Sequence, residues 1–122
     1  MILEIIFSYF LGNIGHEYFV KHAVLSMIGG NRVKTNVNRR IKVGLLTNEI
    51  PPIVYGGVAT WIVNFMKMFE TDEKIEVIPI FLAYNDKLPE ECLVNYPNIR
   101  VIEKEEDING CFEDIDVCVN NL

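Results

Sequence analysis

Ile41-Lys42-Val43-Gly44-Leu45-Leu46-Thr47 is followed by Asn48-Glu49-Ile50-Pro51-Pro52-Ile53-Val54-Tyr55-Gly56-Gly57, and then by Val58-Ala59-Thr60-Trp61-Ile62. The first run is short, apolar and rich in branched side chains, the composition of a strand buried on both faces. The second holds Pro51, Pro52, Gly56 and Gly57 within a short span, which breaks any regular element and makes it a loop. In the third, Val58, Trp61, Ile62, Phe65 and Phe69 recur at three- and four-residue spacing, placing an apolar stripe on one side of a helix that ends near Glu70.

The same alternation continues outward from this unit. Residues 75–84 read as a second strand, in which Pro79 cannot donate to a ladder and so marks a bulge or an edge position. Residues 98–102 and 115–119 are shorter strand candidates. Residues 103–114 between them are acidic, with room for a helical turn, and their carboxylates read as a solvated face rather than a metal site. Strand, loop, helix and strand in series build a parallel sheet with right-handed crossovers. The expected fold is therefore α/β, a Rossmann-like three-layer arrangement with a mainly parallel sheet over residues 41–122. Such sheets bind ligands outside the carboxyl ends of their strands, where the 48–57 loop lies.

The chain has 122 residues. That is enough for one domain at roughly 100–200 residues each. Half of it is hydrophobic, so a core can form. Residues 1–44 hold six Lys or Arg against two acids, and residues 45–122 hold five against fifteen, for a net charge of -6. The acidic majority argues against nucleic-acid binding, which needs a basic face. Arg32, Lys34, Arg39, Arg40 and Lys42 form the one basic stretch and read as a solvated linker. Cys92, Cys111 and Cys118 have neither disulfide-framework nor zinc spacing, and His16 and His22 are six apart, so no metal site is expected. Three unpatterned thiols fit a reducing, cytoplasmic setting.

Residues 1–40 are expected to be a hydrophobic helical segment, with a helix over 16–28 closed by Gly29-Gly30, followed by the basic linker. The segment lacks the charge and length of a signal peptide or a membrane span. It packs on the domain or a partner, or touches a membrane surface through Phe7, Tyr9, Phe10, Tyr18 and Phe19.

Gly56-Gly57 before a helix has two readings. The pair either makes the turn, or it lets a phosphate or sugar hydroxyl approach backbone N–H groups at the helix start. Glu49, at the end of the first strand, either accepts a hydrogen bond from a ligand hydroxyl or is a solvated residue. The dinucleotide pattern G-x-G-x-x-G and the Walker G-K-[ST] are both missing here, so neither NAD nor a P-loop nucleotide is supported, and no cofactor is expected.

The run from Ile41 through Glu49-Ile50-Pro51-Pro52, then Gly56-Gly57-Val58-Ala59 and an apolar helix, resembles the opening of the amino-terminal domain of GT-B glycosyltransferases. The likeness is to the family 4-like retaining enzymes related to glycogen and sucrose synthases. It is close from Ile41 into the apolar helix, and extends over residues 75–122 in layout. The resemblance implies an acceptor-side domain of an enzyme that moves a sugar from a nucleotide-sugar donor to a sugar or glycolipid acceptor. It implies that Gly56 and Gly57 face the cleft beside the donor phosphates. It also places Asn120, in Asp114-Ile115-Asp116-Val117-Cys118-Val119-Asn120, at the end of a strand that reaches the cleft, where the family often has a histidine. Val54 stands where glycogen-synthase-type members carry a lysine. The family's donor-binding domain is not in this sequence, so the chain is expected to be an incomplete domain, inactive alone, with a carboxyl-terminal half-enzyme as partner. No catalytic residue is identified. The alternative is a non-catalytic Rossmann-like binding module.

Overall fold

A computed structural model of the chain describes residues 3–6, 39–83 and 87–122. Among them the elements run β1 (Leu3–Ile6), β2 (Ile41–Thr47), α1 (Val58–Met68), β3 (Ile75–Leu82), α2 (Glu90–Asn95), β4 (Arg100–Ile102), α3 (Asp107–Phe112) and β5 (Val117–Asn120). The strands form one sheet in the order β1-β5-β2-β3-β4, and every neighbouring pair is parallel. The protein is thus α/β. No helix among the described residues is long and apolar enough to cross a membrane.

The alternation of side chains along β2 assigns its two faces. Ile41, Val43 and Leu45 join Trp61, Ile62, Phe65 and Phe69 of the α1 region, Val117 and Val119 of β5, and Cys92 of α2 in one core. Across the sheet, Ile78 and Ile80 pack with Ile102, Ile115 and Cys111 of α3 in a second core, with Leu46, Leu82 and Phe112 at its margin. Helices therefore cover both faces, as an all-parallel sheet requires. Along α1 and its C-cap the four-residue spacing stacks Trp61 on Phe65, ring centroids 5.2 Å apart, and brings Phe65 to 5.3 Å from Phe69. Burying each of these side chains contributes about 2 kcal/mol. The helix closes with tightened bonds from the Phe69 and Glu70 N–H groups to Met66 and Lys67 carbonyls.

Gly44 in β2 has a steric reason. A Cβ there would come within 3.0 Å of Ile115 Cγ2 and Ile80 Cδ1 in the second core. Pro79 also has its place. The side chain of Asn98 donates to the Val77 carbonyl at 2.9 Å, and the Ala83 N–H donates to Ile102, so odd-numbered residues of β3 turn their backbone groups toward the β4 side. Pairing with β4 begins only at Ile80, so the missing N–H of Pro79 faces a stretch of open edge while Leu45 stays in register beside it.

Strand ends move slightly from the sequence expectation: β4 starts at Arg100 and β5 spans Val117–Asn120, because Ile115 belongs to the second core below the sheet and Asp116 binds the start of β2. The turn expected within the acidic stretch is α3. Leu3–Ile6 is a strand paired with β5, not part of a helical segment. Four apolar-rich residues fit either period, and here pairing with a neighbour decides. The helix expected over 16–28, the aromatic residues Phe7, Tyr9, Phe10, Tyr18 and Phe19 and the membrane contact expected of them lie outside the described residues, as do Arg32, Lys34, His16 and His22.

Candidate functional site

The strand order reverses between β5 and β2: the chain leaving β2 builds toward β3 and β4, and β5 lies on the other side. A crevice forms at such a switch point, outside the carboxyl ends of the two strands. Leu46 and Asn120 are register partners there, and the 48–57 loop leaves from Thr47.

The loop is pinned from inside. The fully buried Thr47 donates its hydroxyl to the Glu49 carbonyl at 2.8 Å and accepts the Glu49 N–H at 3.0 Å. Ile50 is fully buried in the first core, and the Ile53 N–H closes on its carbonyl at 2.7 Å around a cis Pro51–Pro52 bond. From α2, the Cys92 thiol reaches the Pro51 carbonyl at 3.6 Å. Burial, with the nearby Glu91 second, pushes that thiol up from its ordinary pKa, so at neutral pH it is a poor nucleophile.

Glu49 is not solvated. It is 4% exposed, and its Oε1 accepts the N–H groups of Tyr55 at 2.5 Å and of Gly56 at 2.8 Å. The Gly56 N–H is therefore already engaged within the loop. Outside, Val54 and Tyr55 are exposed, and a Cβ added at Gly56 would meet nothing within 4 Å. The fold itself does not require glycine at 56, and the space before it is open. Gly57 is the N-cap of α1 with helical backbone angles and no side-chain cap, and its carbonyl accepts the Trp61 N–H at 3.1 Å. A helix start leaves its first N–H groups without intrahelical partners, so residues 58–60 supply the positive end that an anion would meet.

Asn120 is placed at the end of β5, with Oδ1 accepting the Leu122 N–H at 3.2 Å. Counting from Val119, which packs in the α1-side core, alternation turns Asn120 to the opposite face. Asn121 is the residue on the loop's side. Its N–H extends the ladder to the Leu46 carbonyl at 3.0 Å, it is 3% exposed, and its side-chain nitrogen has no hydrogen-bond partner among the described residues. The structure thus holds Glu49, Gly56 and Gly57 in one loop after β2, with Asn120 and Asn121 at the end of β5, the strand paired with β2. Only the final alternation of β5 distinguishes the two asparagines.

The opposite end of the sheet is closed by charge. Asp116 accepts the Lys42 N–H at 2.9 Å and pairs with Arg39 at 2.5 Å, while Asp114 receives Lys42 Nζ at 2.6 Å and Arg100 at 2.5 and 3.0 Å. Arg40 donates to the Ile75 carbonyl at 2.7 Å. Arg39 and Arg40 are exposed, as a solvated stretch would be, and with Lys42 they also tie their side chains to the sheet. Arg100, then Lys42, hold the Asp114 carboxyl well below the usual carboxylate range. Within the acidic stretch, Glu103, Glu105, Glu106 and Glu113 are exposed, while Asp107 accepts the Glu103 and Lys104 N–H groups. Among the described residues no three His, Cys, Asp or Glu side chains gather as a metal site. Compared with models of protein families, with curated proteins and with solved structures, the chain matches none of them.

Proposed function

We propose that residues 41–122 belong to the amino-terminal, acceptor-side domain of a GT-B glycosyltransferase of the family 4-like kind. Such a domain works with a second, donor-binding domain, and the reaction moves a sugar from a nucleotide-sugar to a sugar or glycolipid acceptor. The observation that carries the reading is the loop carrying Glu-Ile-Pro-Pro and Gly-Gly, set between β2 and α1 at the switch point of a parallel sheet, a Rossmann-like arrangement. Open space before Gly56 and the uncapped start of α1 suit a phosphate or a sugar hydroxyl.

On this reading the donor-binding domain supplies the charge that meets the departing diphosphate and the second wall that excludes water, so residues 41–122 by themselves are inactive. Titrating labelled protein with UDP-glucose and with maltoheptaose tests it. Amide shifts confined to residues 48–60 and 120–122 support the reading; no shift with either compound removes it. Turnover of nucleotide sugars by the isolated chain would overturn the inactivity. A second reading, a non-catalytic binding module, draws on Leu93 and Val94, which α2 leaves exposed.

A further inference from the structure

We propose that Glu49 is the positioning residue of the 48–57 loop: its carboxylate holds the loop's shape from inside and makes no contact with a ligand. One oxygen, Oε1, accepts two consecutive N–H groups, those of Tyr55 and Gly56. Two consecutive donors on a single acceptor fix the peptide plane between them, because turning that plane breaks a bond. The anchor is itself held, since Thr47 Oγ1 binds both the N–H and the carbonyl of Glu49 at the last residue of β2. A carboxylate that is 4% exposed persists inside a protein only when hydrogen-bonded, and bonds to an ionised acceptor are the stronger kind.

Reach matters as much as charge. The side chain spans from the strand end to amides six and seven residues later, so an aspartate, one methylene shorter, falls short, whereas glutamine keeps the length with a neutral acceptor. On the outer side, Val54, Tyr55 and Gly56 then hold one arrangement before any ligand arrives, which lowers the ordering cost of binding. That last consequence rests on the proposed function; the clamp does not.

The test is NMR on the full chain. In the wild type, couplings across the hydrogen bonds should link the Tyr55 and Gly56 amide nitrogens to the Glu49 carboxyl carbon. In Glu49→Ala and Glu49→Asp, exchange of those two amides should quicken by roughly 10- to 100-fold, the range expected for bonds to a charged acceptor. Glu49→Gln should restore much of the protection, with β2 and β3 amides unchanged throughout. Missing couplings in the wild type would overturn the proposal, as would equal exchange in wild type and Glu49→Asp, or a loss of protection spread evenly over the sheet. If Glu49→Ala does not fold, the wild-type couplings and the other two variants decide. UDP-glucose added to the wild type separates the two claims. Shifts over residues 54–58 support a ligand-facing loop; their absence with the couplings intact removes that reading and leaves the clamp standing.

Discussion

At the amino end of the sheet, Arg39, Lys42 and Arg100 meet Asp114 and Asp116 in direct ion pairs, tying the starts of β2 and β4 to the approach to β5. At the carboxyl end the polar groups turn inward. Glu49 and Thr47 bind loop backbone, and Val54, Tyr55 and Gly56 face outward. The amino end uses side-chain charge to join distant segments. The carboxyl end uses it to shape one segment and leaves the front of that segment uncommitted. The difference separates a place where substitutions should cost stability from one where they should cost binding.

Removing Asp116 tests the closed end hardest. Asp116→Ala strands the Lys42 N–H and frees Arg39. Losing a buried, charge-assisted acceptor should lower stability by about 2 kcal/mol in urea unfolding. Two glycines then set the ends side by side. Gly44→Ala pushes a methyl toward Ile115 and Ile80, and both neighbours are side-chain ends that can give way. The overpacking should cost about 1 kcal/mol, less than a rigid clash would. Gly56→Ala meets nothing, and should weaken any ligand that uses the open space. Its effect on stability should be no more than about 0.5 kcal/mol. A large stability loss at Gly56 would erase the contrast.

The Asp114 pairs sharpen it through pH. Because the folded carboxyl titrates below its unfolded value, its stabilisation is complete above about pH 4 and declines as pH falls toward the folded value. The side chain is 41% exposed. Solvent screening therefore limits the effect of Asp114→Asn to about 1 kcal/mol at neutral pH. The gap between wild type and variant should narrow when unfolding is repeated near about pH 3.

How much of this was legible in the sequence depends on whether the cause is local. β2 and α1 follow from periodicity, since the same apolar residues that set the pattern fill the core. α2 does not. Only Cys92 of its six residues is buried, and Leu93 and Val94 point outward, so there is no stripe to read. The loop and its glycines were visible as breakers. The destination of the Glu49 carboxylate was not, because a bond closing six residues later leaves no spacing signal. The pairing of Arg39 and Lys42 with residues more than seventy positions away was equally hidden. For the same reason a basic run read as a linker.

β5 lies between β1 and β2, though both precede it: Leu3 and Val43 are each in register with Val117. As the chain emerges from the ribosome, β2 can pair with β3 soon after α1 is made, but among the described residues β1 has no neighbour in the sheet until Val117–Asn120 follows. Pairings so distant in sequence form slowly. Among the described strands, the earliest in sequence is thus the last to find its place during synthesis.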